Sequence, residues 1–417
     1  MKRFFKRLAL LLFLSLAGLI GYGFYKGMTI DEMKAQAIAW YEEYIPISAE
    51  EPESPSQHEE SLQNNQHNPS SSNKAPSPKN TAKKSAGKEY KLLPKPKNPF
   101  AKIDRHAHLT PSNAEKSIPA LAAYLTKTSK NDLEKARAIY IWLTDNISYD
   151  DKGFNTDQFS PTDSESVLKY RKGVCSGFAN LYYSLGQEAG LNIKKVGGYS
   201  KGYSYTPGDK FEKADHAWNL ININGKWRIF DATWGQGYGT NVKGKLKSTK
   251  KFGEFWFNTS PYEAIFTHLP EDTRDAHVSP PIGLREFEYL PEVNKQYFET
   301  GFDAYATYLK VRKNNSLQFP KTYNPHTHCK IKKAPPYRVL KTGKAYPFQL
   351  YAPRAYAVAV IDANKDFHHF KREKGNFSLS YTPKTAGELK ISIKSEDSEE
   401  SYWTLLIYQV EPTDISS

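Results

Sequence analysis

The chain has 417 residues, a net charge of +13 and only two cysteines, Cys175 and Cys329. That length accommodates two globular domains with tethering sequence to spare, and two cysteines exclude a disulfide scaffold. Part of the positive charge is local: residues 74–97 hold eight lysines against one acid, Glu89, in no folded nucleic-acid motif, so a solvated linker is expected there and nucleic acid is not expected as a partner.

The first elements expected concern export. Lys2, Arg3, Lys6 and Arg7 precede an uncharged, mostly apolar run from Leu8 to Tyr25. As a helix that run is about 27 Å long, close to a bilayer core. Residues 1–28 therefore read as a signal-anchor that keeps the N-terminus in the cytoplasm and exports the rest. A cleaved signal peptide ending near Ser15-Leu16-Ala17 is the competing expectation, with the remainder then secreted. Residues 29–47 suit a juxtamembrane helix, with Met33, Ala37, Trp40 and Tyr44 on one face. Residues 48–98, rich in Ser, Pro, Asn and Lys, bury too little apolar surface to offset ordering entropy and are expected to be a disordered spacer.

Residues 99–260 form the first expected domain. Leu133, Ala136, Tyr140, Leu143 and Ile147 repeat at helical spacing over 131–147, and Asn131 with Glu134 matches a capping box. A second helix begins at or just after Cys175, carries Phe178, Leu181, Tyr182, Leu185 and Ala189 on one face, and stops at Gly190. Strands are expected over 193–199, 216–223 and 226–233. Residues 261–330 connect to the next domain with no assignable pattern. Over 331–417 short strands (355–361, 377–381, 389–393 and 402–410) punctuated by Gly, Pro, Asn and Asp suggest a small antiparallel, immunoglobulin-like β-sandwich. The fold class expected is α+β, helices packed on an antiparallel sheet, followed by that sandwich.

Three segments of the first domain carry chemistry. In Gly173-Val174-Cys175-Ser176-Gly177 the sulfur sits at a helix start, where unpaired N–H groups and the helix dipole favour an anion, and small neighbours leave room for a substrate carbonyl. A buried structural cysteine explains the motif equally well by itself. The other two segments are His216-Ala-Trp-Asn and Trp227 to Trp234, separated by Asn224-Gly225, a strong hairpin signal. With that turn, Ile223 faces Lys226 and His216 faces Thr233. Asp231 then projects from the same face as His216, as its diagonal neighbour about 7–8 Å away, a gap that one hydrogen bond between the side chains closes. The pair has the form of a base and its orienting acid. Taken singly, a sheet histidine and a strand-end capping acid account for the same residues.

His106-Ala-His108 and His326-Thr-His328-Cys329 have the i, i+2 spacing of metal ligands on a strand. Neither has further ligands nearby, so no metal is expected, and His106 is expected to pack or hydrogen-bond at the start of the domain. Trp218 and Trp234 either line a groove or belong to the core. Tyr199, Tyr203 and Tyr205 are candidates for its rim.

From about Asp104 to Trp234 the sequence resembles the transglutaminase-like superfamily, nearest to the kyphoscoliosis peptidase group and its bacterial relatives. The resemblance is carried by Lys135 to Trp142 with Asn146-Ile-Ser-Tyr-Asp150, Gly173 to Ala179, Gly197-Gly-Tyr199 with His216-Ala-Trp-Asn219, and Trp227 to Trp234. Phe257, Pro261, Ile265, His268 and Pro270 resemble a segment that follows the core in that group. The resemblance implies a papain-like fold with Cys, His and Asp in that chain order, which places the catalytic roles on Cys175, His216 and Asp231. It implies acyl transfer or hydrolysis on peptide or protein substrates, by a protease, amidase or transglutaminase-type enzyme, and the expected export places those substrates outside the cytoplasm. No cofactor is implied, and no acidic loop supports the Ca²⁺ sites of some animal members. Gln158 is a candidate oxyanion donor that nothing in the local pattern fixes. Because the family includes inactive members, the alternative is a catalytically silent scaffold at the cell envelope.

Overall fold

The computed structural model describes residues 97–324, 327–395 and 402–413. The expected anchor, the juxtamembrane helix and nearly all of the spacer lie outside them. No helix among the described residues is long and apolar enough to cross a membrane.

Helices come first. After α1 (Ala101–His108) and α2 (Ile118–Thr126), the amphipathic segment forms α3 (Asp132–Asn146). The Asn131 side chain accepts from Glu134 N at 2.9 Å, as a helix cap does. Glu134 reaches back one residue further than in a capping box, to Lys130 N. Next come β1 (Ser148–Tyr149), α4 (Asp151–Thr156), α5 (Ser164–Tyr170), β2 (Lys172–Gly173) and α6 (Cys175–Glu188). The expected stop holds: Gly190 has φ +72, and Leu191 N bonds back to Gly186 O.

Strands β3 (Ile193–Ser200), β4 (His216–Ile223) and β5 (Lys226–Phe230) follow. Asn224 and Gly225 have φ of 52 and 79, the type I′ turn that their sequence specifies, and Ile223 pairs with Lys226 as expected. The strand expected to run to Thr233 ends earlier. Pairing stops at Asn219–Phe230, because Asp231 caps a one-turn helix, α7 (Ala232–Gln236). A hairpin, β6 (Gly237–Val242) and β7 (Lys245–Lys250), then stands apart as a two-stranded sheet.

The core sheet has the order β5-β4-β3-β8 and is antiparallel throughout. Its fourth strand, β8 (His268–Pro270), comes from the connecting region, where no periodicity marked a strand and only the resemblance drew attention to His268 and Pro270. Helices α3 and α6 cover the sheet, and Tyr140, Trp142, Tyr182, Trp218 and Phe230 fill the space between. Gly198 explains the close approach of β8: a Cβ there would meet Leu269 O at 2.2 Å and the Trp218 ring at 2.6 Å.

The C-terminal part is a sandwich. One sheet has the order β10-β12-β16-β15, over Lys330–Lys333, Tyr346–Tyr351, Asn376–Tyr381 and Lys371–Glu373. The other has the order β11-β18-β17-β13-β14, over Val339–Lys341, Trp403–Glu411, Gly387–Ser395, Ala355–Ile361 and Phe367–His369, with β9 (Lys321–Thr322) added on β18. Phe348 and Phe377 from the first sheet meet Val358, Ile391 and Leu406 from the second in a single core. The sandwich is not wholly antiparallel, since β11 pairs β18 in parallel.

Candidate active site

Cys175 opens α6. Val174 before it is extended and supplies no side-chain cap, and the first N–H groups bonded inside the helix are those of Gly177 and Phe178. Those of Cys175 and Ser176 have no intrahelical acceptor. The sulfur is half-buried and unpaired with Cys329. The flanking glycines serve packing rather than access: a Cβ at Gly177 would meet Val167 Cγ2 at 3.0 Å, and one at Gly173 would face Gly177.

Strand β4 delivers the imidazole. His216 Nε2 lies 2.7 Å from Asp231 Oδ2, with both groups buried. Both expectations for Asp231 hold at once. Its Oδ1 accepts from Trp234 N at 2.9 Å and caps α7, while Oδ2 faces the histidine. The end of β5 thus reaches the expected face of the sheet through a turn rather than through continued pairing.

A third buried group joins them. His268 Nε2 lies 3.1 Å from the same Asp231 Oδ2, and its Nδ1 lies 2.9 Å from the Thr267 hydroxyl. This pattern fits a neutral ring that donates to the carboxylate and accepts from Thr267. Burial pushes His268 down to about 4, outweighing Asp231. Burial also acts against the His216 cation, yet Asp231 on one side and then Cys175 on the other push His216 up to about 10. Burial alone would raise the Asp231 carboxyl; the two imidazoles hold it well below the usual carboxylate range. Two histidines on one acid are therefore driven in opposite directions, His216 toward its cation and His268 toward its neutral form.

The three groups offer ligand atoms within 4.8 Å of one another, the donor types a transition metal accepts. Hydrogen bonds from both rings to one oxygen account for the arrangement without an ion.

The thiol and imidazole open into a cleft of about 600 Å³. Trp234 lines it and covers the histidines, with ring centroids 5.5 Å from His216 and 4.5 Å from His268. Trp218 is core: it is buried, and packs 5.8 Å from His216. Tyr203 and Tyr205 line the cleft as expected, whereas Tyr199 packs on Phe211. Gln158 is exposed and forms no part of the cleft wall. Tyr149 does line it, because the parallel β1–β2 pair sets Tyr149 beside Gly173, two residues before the thiol. Burial, and then negative charge at Cys175, Asp151 and Asp150, raises the Tyr149 phenol, which stays a hydrogen-bond donor at neutral pH.

The remaining candidates are separated. His106 and His108 lie on helix α1, not a strand, and diverge: His106 Nε2 bonds Tyr124 O at 2.8 Å and its ring stacks on Tyr124, while His108 faces Asp145. His326 is outside the described residues. Cys329 is buried in the sandwich core, and burial pushes its thiol up to about 12, whereas His328 is exposed. His268 and Tyr149 were not singled out as site residues in the sequence, although both stand in segments that carry the resemblance.

Residues 119–232 match the family model described as the transglutaminase-like superfamily, so the chain carries a transglutaminase-like domain. It is 34% identical over 207 residues to human kyphoscoliosis peptidase, covering 49% of this chain and 30% of that protein. It is 28% identical over 314 residues to the mouse kyphoscoliosis peptidase, covering 74% of this chain and 42% of that protein. The chain thus spans less than half the length of either relative. Among solved structures, a TGase crystal structure aligns at 17% identity and a TM-score of 0.22, over 37% of this chain and 36% of that one.

Proposed function

We propose that this transglutaminase-like domain performs cysteine-dependent acyl transfer or hydrolysis on peptide or protein substrates, with Cys175 as nucleophile, His216 as proton carrier and Asp231 as its orienting acid. One observation carries the proposal: a half-exposed sulfur at a helix start shares a cleft with an imidazole that a buried carboxylate fixes at 2.7 Å.

In the first step the sulfur bonds to the acyl carbon of a peptide bond or a glutamine carboxamide. The thiol proton passes through His216 to the departing nitrogen, which leaves as an amine or ammonia. The thioester is then opened by water, giving the acid, or by a primary amine, giving a new amide. His216 takes a proton from the attacking group and returns it to sulfur. The N–H of Cys175 and the hydroxyl of Tyr149, two residues that line the cleft together, are the proposed donors to the oxyanion. His268 positions Asp231 and takes no part in proton transfer. The cationic start of the sequence and the apolar run Leu8–Tyr25 support membrane tethering with the folded parts outside the cytoplasm.

The test is mass spectrometry of the protein incubated with a peptide library, with and without a primary amine, beside Cys175→Ala. New termini or deamidated glutamine without the amine, and amine adducts with it, are expected from the parent alone. Identical products from Cys175→Ala end the proposal.

A further inference from the structure

The hairpin β6–β7 borders the cleft, and its hydrogen bonding can be worked out residue by residue. Lys243 and Gly244 have φ of 54 and 78, a two-residue type I′ turn, so Val242 and Lys245 exchange both ladder bonds. Alternation gives the next bonded pairs as Thr240–Lys247 and Tyr238–Thr249. The backbone groups of Gly237, Gly239 and Asn241 on β6, and of Leu246 and Ser248 on β7, must then point away from the partner strand.

The β7 side meets this expectation. Leu246 N donates to Asn155 Oδ1 at 2.8 Å, Asn155 Nδ2 donates to Leu246 O at 2.9 Å, and Ser248 N donates to Asp151 Oδ2 at 3.0 Å. Side chains of α4 thus cover that edge. On the β6 side no third strand is present, and among the described residues nothing takes the outward groups of Gly237 and Gly239. Those two glycines line the same cleft as Cys175. An uncovered sheet edge is open to pairing with another strand, and this one carries neither proline nor an inward charge.

Resting on the acyl-transfer proposal above, we infer that the substrate is an extended peptide that adds to β6 as a third strand, pairing with Gly237 and Gly239 and bringing its acyl carbon to Cys175. The missing side chain of Gly237 makes room for Thr249 O of the hairpin's own second strand and Lys251 N just past it, so the added strand is held through the outward backbone groups of Gly237 and Gly239 rather than through space their side chains leave. The face toward which Gly239 would point a Cβ holds Leu246 at 2.4 Å and Tyr203 at 3.5 Å. Every second residue of an added strand faces that side, so apolar residues are preferred there. Folded regions cannot pair in this way; the targets are unfolded or linker segments.

The experiment uses the full chain and acetylated alanine peptides ending in a vinyl sulfone, which alkylates the cysteine. One probe has a single residue and another has four; two more are four-residue probes N-methylated at one or the other alternate set of amides. The four-residue probe is expected to label Cys175 at least about tenfold faster than the single residue, as two added hydrogen bonds warrant. One N-methylated set, and only one, should lose that gain. Equal rates for both methylated probes and the parent, or no dependence on length, overturn the inference. Iodoacetamide labelling that depends on His216 reports the active centre separately, so edge docking can fail while the thiol remains competent. If the thiol proves inert, amide hydrogen exchange of Cys175→Ala with millimolar tetra-alanine amide decides: protection over 237–241 upholds the docking, and its absence refutes it.

Discussion

At the residue scale the proposed chemistry turns on Asp231, which caps a helix with one oxygen and receives two histidines with the other. Two substitutions separate these jobs. Asp231→Asn keeps a good cap, so the melting temperature should change little on that account, but it removes the charge that outweighs burial at His216. The imidazole should then titrate well below about 10 in a histidine NMR titration, and turnover should fall by about 10²- to 10⁴-fold. Asp231→Ala should lose the same activity and about 1 kcal/mol more stability through the cap. Equal melting of the two variants would show that the cap carries no weight.

His268 sets the acid limit. Its folded value, about 4, lies below the value near 6.5 of an unfolded histidine. Between these pH values the unfolded chain binds more protons, so the histidine's share of stability is present above pH 6.5 and is lost as pH falls toward 4. His268→Gln keeps a donor for Asp231 and removes the titration. The stability gap between parent and variant should therefore shrink by about 2 kcal/mol from pH 6.5 to pH 5 in urea melts. A constant gap would mean that the ring is not held neutral. Cys175, His216 and Asp231 were legible in the sequence because a helix start and one hairpin turn bring their segments together, although Asp231 reaches His216 from a helix cap and not from a paired strand. His268 and Tyr149 were not, because β8 reaches β3, and β1 reaches β2, across long connections whose register no local pattern encodes.

At the element scale the sequence spoke clearly where turn chemistry was local. Asn224-Gly225 set the β4–β5 register, and Gly190 ended α6. It misled at β5, whose alternation runs on past Phe230 while Asp231 takes the backbone into a helix. Capping won over strand periodicity there because Asp231 Oδ1 satisfies the Trp234 N–H that pairing with β4 does not reach. Gly225 at φ 79 is the hinge of the whole arrangement. Gly225→Val should cost about 1–2 kcal/mol in a thermal melt, the penalty of a left-handed conformation for an L side chain. The variant should still label at Cys175 once folded, since the turn lies at the far end of the hairpin from His216. Loss of labelling in the folded variant would mean that the register itself had slipped.

At the scale of the whole molecule the sequence suggested two domains and a featureless connection, and the connection proves to join them. Phe255 packs against both the papain-like core and the cluster of the connecting region, and Phe302 packs against both that cluster and the sandwich. Backbone bonds continue the join: Ile331 N to Thr300 O at 2.6 Å, and Arg338 N to Gln318 O at 2.8 Å. The Tyr297 hydroxyl donates to Pro336 O, and β9 pairs with β18 from the far end of the chain. Such contacts depend on surfaces meeting in space, which no periodicity reveals. They make separate unfolding costly, because parting the sandwich uncovers Phe302, which packs on both clusters, and breaks the Tyr297 hydrogen bond to Pro336 O. The connecting region also supplies β8, and with it His268. Calorimetry of residues 97–417 should therefore show one cooperative transition, and a chain ending at residue 319 should melt lower and label more slowly at Cys175, because the support of β8 is weakened. Two separated transitions, with the shorter chain as stable and as reactive as the longer, would mean that the sandwich is only an appended module.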